Sequence, residues 1–195
     1  MSLGKFFKSC FSLISRRSLL FVVMNTLFFG LTIVGAFLAQ FQSFPSYEWD
    51  LSERMFSEEW GLPVMIPVIF LFNLVVSALS LVTLTGLVFF ALPVVVLSVR
   101  AVFWGVLLNQ LPTPKFFLAF PTLVLEGEGY VLASLAGVIL GLSWLKPGWA
   151  YGGEGFSRLE AFKIAWKNCM RLYVLVMLLL FLGAVVEAVT IAWLA

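Results

Sequence analysis

Phe120-Pro-Thr-Leu-Val-Leu-Glu-Gly-Glu-Gly-Tyr130 sets two carboxylates, Glu126 and Glu128, between glycines inside an otherwise apolar segment. A charged side chain at the centre of a bilayer costs roughly 3 kcal/mol on insertion scales, so a carboxyl there is neutral, paired or turned to water. The surroundings are lipid-like because the whole chain is. Of its 195 residues 62% are hydrophobic and 11% charged, and the mean hydropathy is +1.08. A soluble domain carries roughly 25% charged residues, and several apolar runs here exceed the roughly 18 residues that mark a spanning helix. These features predict an all-α membrane protein, a five-helix transmembrane bundle with interfacial amphipathic helices.

The fourth hydrophobic segment, about 116–145, contains the quoted stretch and is interrupted by Pro121 and the glycines of Leu125–Gly129. It reads either as a kinked span or as a short re-entrant piece followed by a helix from Gly129, since irregular backbone at membrane depth must be enclosed by protein or line a wet cavity. Gly129, Ala133, Gly137 and Gly141 then recur every four residues, a small-residue stripe that lets a neighbouring helix approach closely. On a continuous helix Glu126 falls on that stripe, and Glu128, about 200° further round, points away.

Outward from this segment, residues 1–17 mix Lys5, Lys8, Arg16 and Arg17 with Phe6, Phe7, Phe11, Leu13 and Ile14, the pattern of a helix lying in the headgroup layer. A first span follows at about 18–42, too long for the apolar region of a cleaved signal. The loop 43–62 carries Glu48, Asp50, Glu53, Glu58 and Glu59 against Arg54, interspersed with the interface-seeking Tyr47, Trp49 and Trp60. Pro63–Gln110 holds a single charge, Arg100. It is long enough for two spans, about 67–90 and 92–111, folded as a hairpin with its break near Gly86–Pro93. Asn73 and Asn109 are the amides in it, suited to inter-helix hydrogen bonds of roughly 1 kcal/mol. Residues 146–157 read as a glycine-rich loop with no phosphate-binding pattern. Ser157-Arg-Leu-Glu160 is a capping box opening a helix with Lys163, Lys167 and Arg171 on one face, which runs into the last span at about 172–195, containing Glu187.

Lys and Arg mark cytoplasmic flanks. With the N-terminus inside, Lys5, Lys8, Arg16, Arg17, Lys146, Arg158, Lys163, Lys167 and Arg171 lie inside, and only Arg54 and Lys115 outside. The predicted location is thus the cell membrane, with a cytoplasmic N-terminus, an acidic outer loop 43–62, a basic inner segment 146–171 and the C-terminus outside. The basic inner face suits anionic headgroups. At about 1.5 Å per residue, Glu126, Glu187 and Arg100 share one depth band on three segments. They are expected to form an intramembrane ionic cluster in which Arg100 pairs with one of the carboxyls. Glu128, Asn73 and Asn109 are further polar contacts.

The missing residue types narrow the chemistry. With no histidine, neither a helical metal-binding histidine pair nor serine catalysis with a histidine base is available. Asp50 is the only aspartate, so an aspartyl pair is excluded too. No enzyme activity, metal or cofactor is expected, and a net charge of +2 gives no reason to expect nucleic-acid binding. Cys10 and Cys169 read as buried or interfacial thiols rather than a disulfide.

Three places resemble a known family. Phe72-Asn73-Leu74 opens a hairpin helix with small residues down to Gly86, and the second helix ends its motif at Gly105. Pro121-Thr-Leu-Val-Leu-Glu126 is similar to a Pro-His-Gly-x-x-Glu pattern, and Gly183-Ala-Val-Val-Glu187-Ala188, followed by Thr190, to a Gly-x-x-x-Glu-Ala segment. Over about residues 65–195 the chain resembles the stage II sporulation protein M family of integral membrane proteins. It departs at Thr122 and Leu123, where the family has His and Gly, and at Arg100-Ala101, where Asn-Gly is usual. The resemblance keeps Glu126 and Glu187 and drops the histidine, which implies an electrostatic or structural role. It also implies a multipass, non-enzymatic scaffold or assembly factor, working with membrane or extracellular protein partners or as a homo-oligomer. The alternative is a small-solute or ion transporter or channel using Glu126 and Glu187.

Overall fold

The computed structural model describes residues 3–41, 61–110, 113–151 and 157–194. Every regular element among them is a helix. α1 is Leu3–Arg16 and α2 is Ser18–Leu38. α3 is Leu62–Val88. α4 is Leu92–Gln110, α5 Thr113–Leu145, α6 Pro147–Tyr151 and α7 Arg158–Leu194. Five of them, α2, α3, α4, α5 and α7, are long and apolar enough to cross a membrane. The architecture is an all-α membrane bundle.

The amphipathic pattern of residues 1–17 is realised as α1. Phe6, Phe7, Leu13 and Ile14 pack on the core while Lys5, Lys8 and Arg16 stay exposed. Arg17 leaves the helical conformation (φ −123°, ψ 27°) and separates α1 from α2. Cys10 and Cys169 are free and buried. The Cys10 thiol donates to the carbonyl of Arg171 at 3.4 Å, fixing α1 on α7, and burial pushes this thiol up from its ordinary range.

The hairpin breaks where expected. Phe89 is extended (φ −155°, ψ 128°), and α4 starts at Leu92 with Pro93 in its first turn, where a missing N–H costs no ladder bond. The first arm begins earlier than about residue 67. Leu62 opens it, with Pro63 in the first turn and Pro67 inside the helix. Its middle, Phe72–Thr83, is π-helical. Leu84 N–H bonds Leu79 C=O at 2.9 Å and Ser80 Oγ bonds Val75 C=O at 2.8 Å, both five residues back.

α5 is one helix of 33 residues, about 50 Å long at 1.5 Å per residue. The re-entrant alternative for this segment is therefore excluded. Pro121 lies inside the helix without ending it. The residue removes one ladder bond, and its exposed side chain needs no space inside the bundle.

The glycine-rich stretch 146–157 is not loop throughout. Pro147 sits at the first position of the short helix α6, and the carbonyl of Lys146 accepts from the N–H groups of Trp149 and Ala150. The capping box forms as predicted. Ser157 Oγ accepts from Glu160 N–H at 3.3 Å, and Glu160 Oε2 accepts from Ser157 N–H at 3.0 Å. The acidic segment expected at 43–62 lies almost wholly outside the described residues, and so does the Leu111-Pro112 part of the next turn.

Candidate functional site

α5 runs through the middle of the bundle, and every residue from Gly129 to Gly141 is buried. Its small-residue stripe serves two neighbours rather than one. A Cβ on Gly129 would press on the Leu180 side chain of α7, 2.9 Å away. Gly137 and Gly141 instead meet the tip of the α3–α4 hairpin. A Cβ on Gly137 would lie 2.9 Å from the Thr83 carbonyl oxygen, and one on Gly141 2.8 Å from Phe90 Cα. Ala133, between Gly129 and Gly137, accepts a hydrogen bond at its carbonyl from Thr83 Oγ1 at 2.9 Å.

One or two turns back along this helix the surroundings become polar. Glu126 is 1% exposed. The Asn73 amide of α3 donates to its Oε1 at 2.5 Å, and the Glu187 carboxyl of α7 lies beside it. Gly183, one turn before Glu187, makes room for Glu126, because a Cβ there would come within 2.9 Å of Glu126 Cγ. One turn further along α5, the buried Tyr130 hydroxyl accepts from Arg100 of α4 at 2.6 Å, with the guanidinium carbon 3.8 Å from the ring centroid. Ser77 of α3 is next to the same phenol. Thr83 and Tyr173 complete the polar column with a hydroxyl–hydroxyl bond of 2.6 Å.

The three ionisable residues expected to cluster are thus brought together, with Arg100 near enough for its charge to act on both carboxyls. The expected pairing of Arg100 with one of the carboxyls is not the bond that its guanidinium makes. Arg100 bonds Tyr130, which comes four residues after Glu126 and so faces the same way. Glu128 points to the other side, as the helix geometry requires, and lies beside Asn25 of α2. Asn73 takes part directly, while Asn109 is exposed near the end of α4. Thr122, standing where the family pattern has His, is buried one turn before Glu126, and its hydroxyl has no hydrogen-bond partner among the described residues.

Tyr130, Ser77, Thr83 and Tyr173 are the members that the sequence reading passed over. The signal available for Tyr130 was its four-residue spacing from Glu126. Ser77 and Thr83 lie in the π-helical stretch of α3, and Tyr173 of α7 joins through its bond to Thr83. Buried positions there fall at Asn73, Ser77–Ala78 and Val82–Thr83, a spacing of four to five residues that an i to i+5 ladder produces. An α-helical path would instead carry the buried Asn73, Ala78 and Val82 over about 180° of arc.

If Arg100 and Tyr130 hold α4 to α5, their replacements must be non-additive. Tyr130→Phe is expected to destabilise by about 2 kcal/mol, the size of a hydrogen bond to a charged group. Arg100→Met should do similarly, and the double variant little more than either. Unfolding midpoints in mild detergent give the cycle. Additivity within about 0.5 kcal/mol would remove the contact from the account.

A helical membrane bundle whose central helix carries a buried acid, tied to an amide and placed beside a second acid, is the class of protein that fold and site define. Residues 18–190 match the family model described as Stage II sporulation protein M. The chain belongs to that family. No curated protein and no solved structure matches it.

Proposed function

We propose that the protein crosses the membrane five times, with its N-terminus in the cytoplasm and its C-terminus outside, and acts there as a non-enzymatic scaffold or assembly factor. The observation that carries this is how the polar groups of α5 are used. Its buried acid, its phenol and a backbone carbonyl are each bonded to a neighbouring helix, at Asn73, Arg100 and Thr83. With the bond from Thr83 to Tyr173 of α7, such a centre holds four helices in one arrangement and leaves the outer faces to lipid and to partners, either membrane or extracellular proteins or further copies of this chain. The topology rests on the basic residues gathered at one end of the bundle. The test is cross-linking in native membranes followed by purification and native-gel sizing. A discrete complex of fixed stoichiometry is expected, and a lone chain in its lipid belt would sink the scaffold.

A second reading is favoured by one specific observation, the contact between Glu126 and Glu187 at a buried level of the bundle. Paired intramembrane acids on separate helices mark ion or proton sites in transporters. Reconstituted wild type would then conduct protons or small cations, and Glu126→Gln would abolish the flux. Background flux for both proteins removes the transporter.

A further inference from the structure

At the end of the bundle that carries α1 and α6, a cleft of about 330 Å³ opens between four helices. Arg16 and Arg17 enter it from the α1–α2 junction, Trp149 from α6 and Asn168 from α7, while Leu13 and Ile139 give it apolar walls. Neither the ionic cluster at Glu126 nor the scaffold reading uses these residues. We propose that the cleft binds the phosphate of an anionic phospholipid, with the glycerol end of the lipid against Leu13 and Ile139.

Three observations converge on that ligand. First, the cleft carries uncompensated positive charge, since none of the described residues lining it is acidic. Second, it is prepared rather than incidental. Two consecutive arginines sit where the backbone turns out of α1, and both line the cleft. Arg17 is held there by donating to the carbonyl of Ala150 in α6, and its remaining N–H groups can bind phosphate oxygens without first being ordered. Third, the rim has the composition of a membrane interface. Trp149 is 65% exposed with the Lys146 ammonium 3.7 Å from its ring centroid, and Phe11 and Leu19, on the helices that supply the arginines, are 62% and 80% exposed. Tryptophan with a cation is the usual furniture of the headgroup layer, and the exposed apolar side chains need acyl chains around them. Apolar walls beside a phosphate site favour a lipid over a free phosphate ion, which has no use for Leu13 and Ile139.

Native mass spectrometry of the purified full-length chain, titrated with phosphatidylglycerol or phosphatidylcholine, tests this. One tightly held phosphatidylglycerol per chain is expected, with phosphatidylcholine bound weakly. Arg16 is exposed, so Arg16→Gln leaves the fold intact and should weaken phosphatidylglycerol binding about tenfold, the loss of one charge-assisted hydrogen bond. Leu13→Trp, which fills the cleft and keeps every charge, should weaken it as much. Arg171→Gln, on the basic face of α7 outside the cleft, should leave it unchanged. Equal loss from Arg16→Gln and Arg171→Gln would mean diffuse attraction to a basic surface and overturn the site, as would undiminished binding by Leu13→Trp. Inorganic phosphate is the second arm. If millimolar phosphate alone occupies the cleft and displaces the lipid completely, the site belongs to a free anion and the lipid assignment is wrong. None of the residues probed is a partner of Glu126, so failure here leaves the scaffold and transporter readings standing.

Discussion

Glu126→Ala is expected to lower the unfolding free energy of the bundle by about 3 kcal/mol, while Glu126→Gln changes it by about 1 kcal/mol or less. The difference follows from what surrounds the side chain. Truncation to Ala leaves the Asn73 amide, itself 7% exposed, without the acceptor it now has at 2.5 Å. An unsatisfied buried donor costs about 1–3 kcal/mol. It also empties the volume against Gly183, and an unfilled cavity adds to the loss of a large buried side chain. Gln has nearly the same shape and keeps a carbonyl oxygen for Asn73, so both terms vanish. Denaturation by graded detergent, followed by tryptophan fluorescence, gives the two midpoints. If Gln falls as far as Ala, the charge of Glu126 toward Arg100, and not its hydrogen bond and volume, is what holds the centre together.

The same pair of substitutions shows what the sequence could and could not disclose about this centre. That Glu126 matters was readable from its place on the small-residue stripe of an apolar segment, and its level with Glu187 and Arg100 followed from counting residues along the segments. Its bonded partner was harder. Asn73 was visible as an intramembrane amide, but nothing in Phe72–Thr83 encodes a π-helical ladder, and without that register Asn73, Ala78 and Val82, which are buried together, would be spread over about 180° of arc. By formal charge alone, Arg100 pairs with a carboxyl. The observed contact with Tyr130 offers the guanidinium both a hydroxyl acceptor and a ring face, a combination that formal charge does not suggest. The glycines of residues 146–157 read as a loop, whereas the fixed φ of Pro147 is enough to start the one turn of α6. Pro121 misled in the opposite direction, since a proline inside an apolar run signals a break, yet a long enclosed helix tolerates the loss of one bond.

The second large effect belongs to the crossing of α5 and the hairpin tip. Gly86→Ala is expected to destabilise the protein by more than about 3 kcal/mol and to cut the folded yield severely, although it adds one methyl group. Overpacking costs about 1–3 kcal/mol when side chains can shift. Here the obstacle is backbone. A Cβ on Gly86 would run into the carbonyl of Gly137, and its Cα would be 3.0 Å away. The reciprocal site is as tight, because Gly141 faces the backbone of Gly86 and Phe90. Neither strand of chain can yield alone. Separating α5 from the tip would stretch the 2.9 Å bond from Thr83 to the Ala133 carbonyl and, through Thr83, the 2.6 Å contact with Tyr173 of α7. Gly30→Ala is the matched control. It adds the same methyl on α2, where nothing lies within 4 Å of the new Cβ, and Ala is the better helix former by about 1 kcal/mol. It should therefore be neutral or slightly stabilising. Expression yield and size-exclusion homogeneity of the two variants side by side give the result. Equal behaviour would mean that the hairpin tip is free to move away from α5, and that the bundle is held at the level of Glu126 and Tyr130 alone.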